Sequence, residues 1–445
     1  MLRDVVRRVV RRPTPAAPGS VGELVFSGPL PPARTGVATY DRAVLDGLRR
    51  IGFFERHRMD VLWSIEAKDT PRLPGYRLGV FQLGNNVEFH LEAYRAVFLA
   101  QASLIVLHDL ALDDFVRGLR ALGDPLGFMA TREAARLRLN LRSPDVVRNE
   151  PLREPWCAHV ARRARGIVVH SEFCRRYLEE FGCRTPVFVV PHPVVESDAD
   201  MLRAVDRGRE LRVALEARGM RTLIVAPGDL NEAKRLDAVL AATTEMDDSV
   251  HVVLVGRRIE GYEVDRVVDT ARLGGRVTLA ADVSDDDFRG WIAAADVAVD
   301  LRFPHRGEVS GSLMRAMQAG KPSIVSASGT YLDVPDGAVL RVAPGPTNAA
   351  ELAGRVRTLL ENLDLRARMG AAARAHVDAL RATEATAKGY EHAIESTLTL
   401  VRDPAHKAMA IWGKALADLG ADETDLREGL GVAYARGLST FRGTS

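Results

Sequence analysis

The chain has 445 residues, 47% apolar and 27% charged, with 61 Lys plus Arg against 59 Asp plus Glu and a net charge of +2. That length exceeds one ordinary core, so two domains are expected, and the balanced charge gives no footing for nucleic-acid binding. Cys157, Cys174 and Cys183 have no metal-ligand spacing and are too few for a disulfide framework, which suits a reduced cytoplasm.

The first residues, MLRDVVRRVVRRPTPAAPGS, interleave Val5, Val6, Val9 and Val10 with Arg3, Arg7, Arg8, Arg11 and Arg12. They lack the apolar core of a secretory signal, and no apolar run along the chain is long enough to span a membrane. A short basic helix here would suit an anionic membrane surface; a solvated terminus before a Pro/Ala linker is the plainer alternative. ELVFSGPL, from Glu23, reads as a buried strand. The Pro-rich loop after it holds Gly36 and leads into a helix striped by Val37, Tyr40, Val44 and Leu48. Strand, glycine loop and helix are the opening of a doubly wound unit, although the full dinucleotide fingerprint is missing.

DVLWS and RLGVFQLG continue the strands, and SLIVLHDLAL ends one in His108-Asp109. Polar groups at a strand's carboxyl end lie where ligands bind in open parallel sheets, although a histidine there also serves as a helix cap. Residues 113–165 are arginine-rich with helical stretches. GIVVHSEFCRRYLEEFG then gives a strand, His170-Ser171 and a helix that Ser171 caps. PVFVVPHPV closes this half, and its prolines with ESDADM read as a linker.

The second half repeats the pattern. TLIVAPGDLNEAKRLDAVLAA runs from a strand through Gly228 to a helix that starts with Lys234-Arg235. VHVVLVGRR, RVTLAADV, DVAVDLRFP, PSIVSASG and AVLRVAPG are further strands, and DDDFRGWIAAA is an amphipathic helix whose acidic run caps its start. Strands alternating with helices in both halves imply two parallel-sheet α/β domains. From about residue 347 the chain is helical and Ala/Arg-rich.

The chemistry concentrates in GEVSGSLMRAMQAGKP, residues 307–322. Ser310, Gly311 and Ser312 open a helix whose Leu313, Met314 and Met317 face a core, and Gly320 stops it. Free N–H groups at such a start, and the positive helix end, attract phosphate. Glu308, just ahead, suits neutral hydroxyls. Lys234, Arg235, Arg302 and the 310–312 helix start can meet at one sheet edge and match a diphosphate with no metal required. Read singly, each of these is an ordinary cap or a surface charge.

The order PLPPARTG…Y, VLHD, VVHSEF, PGDLNEAKR and GEVSGSLMRAMQAGKPSIVS…G resembles family 4 of the retaining glycosyltransferases, in a GE-x-SGS branch, from about residue 23 to about 378. The resemblance implies the GT-B fold, two Rossmann-like domains facing a cleft. The domains would be 21–195 on the acceptor side, 196–379 on the nucleotide-sugar side, and a helix at 380–400 that crosses back. A basic segment at 1–20 and a helical extension at 401–445 would flank them. It further implies that Thr35 and Gly36 lie in a loop near the donor phosphates and that His108 points at the donor sugar. Lys234 and Arg235, near Gly228, would hold the diphosphate with Arg302. Glu308 would contact sugar hydroxyls, and Ser310, Gly311 and Ser312 would take the distal phosphate through backbone groups.

The implied reaction is retaining, metal-independent and cofactor-free. It moves a sugar from a nucleoside diphosphate sugar, UDP or GDP, to a glycan, a lipid-linked acceptor or a small molecule, in the cytoplasm or at the inner face of the membrane. Three features depart from the family, the first being that Glu308 is displaced by one residue from the usual first glutamate. Arg315 stands where a second glutamate usually binds ribose, and Asp229 stands where an arginine often follows the glycine. Those departures keep a second reading open, a non-catalytic sugar-nucleotide-binding or scaffold protein on the same fold.

Overall fold

The apolar, β-branched runs of the sequence become twelve strands, paired in parallel throughout. The structure, a computed structural model, describes residues 23–33, 35–66, 68–137, 150–345, 349–382 and 384–402. The basic segment 1–20 and all but the first two residues of the extension placed at 401–445 lie outside the described residues.

The first sheet is built from β1 (Leu24–Ser27), β2 (Met59–Leu62), β3 (Leu78–Leu83), β4 (Ser103–Leu107), β5 (Gly166–Val169) and β6 (Val187–Val189), in the order β2-β1-β3-β4-β5-β6. The second comprises β7 (Thr222–Pro227), β8 (Val250–Gly256), β9 (Val277–Ala281), β10 (Val297–Asp300), β11 (Ser323–Ser326) and β12 (Val339–Val342), in the order β12-β11-β10-β7-β8-β9. Both orders are doubly wound. Each reverses direction once, between β1 and β3 in the first sheet and between β7 and β10 in the second. The crevice outside the strands' carboxyl ends at such a point is where open α/β sheets bind ligands. In the second sheet Ala298 pairs with Val225, so Asp300, the end of β10, lies beside Pro227, the end of β7, with Gly228 next along the chain.

Helices cover both faces of each sheet. Strands buried on two sides carry nearly continuous apolar runs, and β3, β4, β5 and β8 are buried along their whole length. Each fully buried Val, Leu or Ile contributes about 1.5–3 kcal/mol. In helix Gly36–Arg50, Tyr40, Val44 and Leu48 are buried, while Val37, the first of the expected stripe, is half-exposed. Helix Ala385–Arg402 lies against helix Gly36–Arg50 and β4–β6; Tyr390, Ile394 and Leu398 join the core formed by Leu24, Phe26 and Val44.

The stretch ESDADM is not a linker. Ser197 and Asp200 form a capping box, each side chain taking the other's backbone N–H, and helix Asp198–Glu216 follows. Acidic residues favour the positive end of a helix, so the polarity that suggests a linker is the helix's own first turn. That helix packs on helix Asp285–Ala294, whose acidic run follows the Ser284 cap.

Candidate active site

The two carboxyl edges meet. Leu110 and Ala111, just past β4, donate backbone N–H to Arg306 O at 2.8 and 3.1 Å. The Arg306 guanidinium returns to Asp113 at 2.8 Å and Asp114 at 3.0 Å. Farther along, Phe173 N donates to Asp333 Oδ2 at 2.8 Å, and the Cys174 thiol to Gly307 O at 3.1 Å. Gly307 is left-handed at φ 81°, and a Cβ there would lie 2.6 Å from Leu110 Cδ1. Only glycine suits both the conformation and the approach.

On the second sheet Lys234 is nearly buried. Its Nζ donates to Pro227 O at 3.1 Å and Ser312 Oγ at 3.0 Å, and it is ion-paired with Asp300. Gly228, at φ 116°, makes room for it: a Cβ would stand 2.8 Å from Nζ and 2.9 Å from Ser312 Oγ. Asp300 is fully buried and also accepts from Ser310 Oγ and, at 3.3 Å, from Ser312 Oγ. Burial pushes the Lys234 ammonium below its usual value against the pull of Asp300. Burial would raise the Asp300 carboxyl, but Lys234 and Arg302 outweigh it and hold it low.

Ser310 caps helix Gly311–Gln318 by accepting from Leu313 N at 3.2 Å. A Cβ on Gly311 would meet nothing within 4 Å, so the helix start opens onto free space. Arg302 pairs with Glu308, whose other oxygen accepts from Arg306 N at 2.6 Å. The Glu308 carboxyl, which burial alone would raise, is lowered by Arg302.

Facing these, at the first sheet, is His108. Its Nε2 bonds Gln82 Oε1 at 2.9 Å, and its ring stands edge-on to Tyr40 at 4.6 Å. Asp109 accepts from Asn85 N at 2.9 Å; burial, and then the charge of Glu308, push its carboxyl up to about 7. Thr35 begins helix Gly36–Arg50 without a side-chain cap bond, and Gly36 is exposed with nothing within 4 Å of a notional Cβ.

The edges therefore gather Lys234, Gly228, Arg302, Glu308, Ser310, Gly311 and Ser312 on one sheet and His108, Thr35 and Gly36 on the other. Arg235 is not brought to Lys234. Its guanidinium forks onto Asp237 at 2.8 and 3.1 Å and onto Gly345 O at 2.9 Å, because Arg235 takes a left-handed turn at φ 49° that swings it off the Lys234 line. Replacing Lys234 with alanine is not benign for the fold, because it strips a buried carboxylate, Asp300, of its ion-pair partner.

Arg315 is engaged in an ion pair with Glu196 at 2.6 Å, which Arg289 shares, and lies 5.5 Å over the Phe288 ring. Asp229 pairs with Arg257 at 2.7 Å. Sequence reasoning missed Asp300 and Gln82. The aspartate that ends the apolar run DVAVD, at the strand's carboxyl end, was the available signal for the first. Gln82, a buried polar side chain inside β3, gave none until its partners were known.

Among the described residues no helix is long and apolar enough to cross a membrane, and no group of His, Cys, Asp or Glu is placed to hold a metal ion.

Residues 208–376 match the family described as glycosyl transferases group 1. No curated protein matches the chain. Solved structures do. HepE of Anabaena in complex with UDP-glucose is 16% identical with a TM-score of 0.57, over 85% of this chain and 100% of that one. Sucrose-phosphate synthase from Thermosynechococcus elongatus is 16% identical at 0.55, over 83% and 98%. A glycosyltransferase from Rickettsia africae is 11% identical at 0.52, over 86% and 100%. Identities this low speak for the fold, which is GT-B. Carrying a group 1 glycosyl transferase domain on that fold, the protein is a glycosyltransferase.

Proposed function

We propose that the protein is a family 4 enzyme of the GE-x-SGS branch that moves a sugar, with retention, from a UDP-sugar to a glycan, lipid-linked or small-molecule acceptor. The observation that carries this reading is the meeting of Lys234, the open start of helix Gly311–Gln318 and the Arg302–Glu308 pair at the point where the second sheet reverses direction. Fold neighbours crystallised with UDP, and with UDP-glucose, support UDP as the donor's nucleotide.

Bond cleavage puts negative charge on the leaving diphosphate. Lys234 and the N–H groups of Gly311 and Ser312 stabilise it from fixed positions, an arrangement whose loss costs on the order of a hundredfold in rate per donor. Arg302 adds charge and orients Glu308 toward sugar hydroxyls. Thr35 and the open Gly36 let the first domain approach the phosphates. His108, held by Gln82, faces the sugar as its anomeric carbon becomes cation-like. The acceptor enters on the departing side, and a leaving phosphate oxygen takes its proton. The cations already at the edge serve the diphosphate without a metal or cofactor.

Residues 21–195 with the helix at 380–400 would form the acceptor side and 196–379 the donor side. The enzyme would act in the cytoplasm, with residues 1–20 favouring the inner membrane face.

Thermal shift with UDP, GDP, ADP, CDP and dTDP, with and without magnesium, tests this reading. A ligand at 100 times its dissociation constant adds about 2.7 kcal/mol. UDP is expected to stabilise the protein without magnesium; stabilisation by none of them would overturn the proposal.

A further inference from the structure

Three neighbouring strands of the first sheet lead into histidines. His108 follows β4, His170 follows β5, and His192 lies three residues beyond β6. Parallel pairing sets them side by side at the carboxyl edge. The His108 and His170 rings are 5.2 Å apart and the His170 and His192 rings 6.3 Å apart. Tyr40 lies 4.6–5.2 Å from all three.

Each imidazole is fixed through one nitrogen to an oxygen that only accepts. His108 Nε2 bonds Gln82 Oε1 at 2.9 Å, His170 Nδ1 bonds Val190 O at 3.0 Å, and His192 Nδ1 bonds Pro193 O at 3.0 Å. The bonded nitrogen must carry the hydrogen, so the other carries a lone pair. Three acceptor nitrogens are left: His108 Nδ1, His170 Nε2 and His192 Nε2. His170 is only 8% exposed, and its Nε2 is buried without a hydrogen-bond partner. Burial holds the rings neutral, with His170 lowered to about 3 and His192 to about 4. The Tyr40 hydroxyl is engaged with Tyr390 at 2.8 Å.

This edge thus offers acceptors. A buried orphan acceptor calls for a donor, and a neutral sugar hydroxyl supplies one. A carboxylate or phosphate, which has only acceptor oxygens, would set lone pairs against lone pairs. We propose that His170 and His192, beside His108, form the subsite that receives a neutral, hydroxyl-bearing ring of the acceptor sugar and rejects an anionic substituent at that place. This rests on the glycosyltransferase reading and assigns the acceptor's chemistry within it.

The test uses the full chain labelled with ¹⁵N-histidine, saturated with UDP and titrated separately with glucose, maltose, glucuronate and glucose 6-phosphate. Glucose or maltose should move the imidazole nitrogen signals of His170 and His192, and the two anions should not. His170→Phe and, independently, His192→Phe keep a ring and remove the lone pair; each should weaken the neutral sugar at least fivefold and leave UDP affinity unchanged. Equal response to the anions, no response to any of the four, or wild-type sugar binding in both variants would overturn the subsite while leaving the donor reading in place. Failure to bind UDP at all would instead remove the reading beneath it.

Discussion

The two facing sheet edges reach electrical neutrality by opposite means. The second sheet's edge is made of full charges already cancelled: Lys234 with Asp300 and Arg302 with Glu308. Around Tyr40 the first sheet's edge is made of groups that carry no charge, His108 and His170 among them, beside a buried carboxyl, Asp41, that burial pushes well above its usual range. Paired charges in a low-dielectric cleft can be re-partnered by an incoming anion, with the helix start adding positive potential. Neutral imidazoles cannot be re-partnered in that way, and offer direction instead of charge. A donor with a charged leaving group belongs to the first kind of edge and a sugar hydroxyl to the second.

The largest expected effect comes from unbalancing the charged edge. Lys234→Ala removes the proposed diphosphate contact and leaves Asp300 buried without its ion-pair partner. Turnover should fall by about a hundredfold or more, and stability by about 3–5 kcal/mol. The double variant Lys234→Ala/Asp300→Asn separates the two losses. Chemical denaturation should show stability largely recovered, and a transfer assay should show turnover still lost. Turnover recovering together with stability would make Lys234 a purely structural cation. Glu308→Gln is the milder break. It keeps the shape but leaves Arg302 without its counter-charge, so we expect about a tenfold loss in turnover, roughly 1.4 kcal/mol, and little change in UDP affinity by calorimetry.

The neutral edge should break with pH. Asp41 is fully buried, neither oxygen has a hydrogen-bond partner, and burial raises its carboxyl well above the usual value. Its folded pKa therefore lies above the unfolded one, about 3.9. The folded state binds the extra proton, so this contribution to stability is complete below pH 3.9 and is lost as pH rises through the folded pKa. Within that window each pH unit costs about 1.4 kcal/mol. Asp41→Asn removes the titration, so its melting temperature should gain on the wild type progressively as pH rises from 5 toward the raised folded pKa. A constant difference across that range would show Asp41 charged and partnered.

Much of this comparison was legible in the sequence. The apolar runs gave the strands because a sheet covered on both faces leaves no room for alternation. The helix start at 310–312 was visible because small polar residues before an apolar stripe have few other uses. Three points were hidden. ESDADM looked like a linker because a capped first turn and a loop share the same composition. Arg235 looked like a partner of Lys234 because adjacency in sequence says nothing of a left-handed turn between them. Asp300 and Gln82 were hidden because the partner that makes a buried polar residue meaningful lies on a different strand or helix, and pairing across a fold has no local signature.

Gln82 gives the smallest and most specific effect. It is fully buried in β3, and its amide nitrogen reaches Tyr390 Oη at 3.4 Å while its oxygen takes the His108 Nε2 proton at 2.9 Å. The helix that crosses back to the first sheet thus fixes, through one amide, which nitrogen of His108 faces the cleft. Gln82→Leu keeps the volume and frees the imidazole to adopt either tautomer. A lost orienting bond of about 1 kcal/mol corresponds to roughly a fivefold fall in turnover. With the sugar nucleotide at the other edge, as proposed, the affinity for UDP should not change. The ¹⁵N spectrum of His108 should change from a single protonated Nε2 to a tautomeric average. An unchanged spectrum with reduced turnover would show that Gln82 acts on packing, and that the direction of the neutral edge is set by Tyr40 alone.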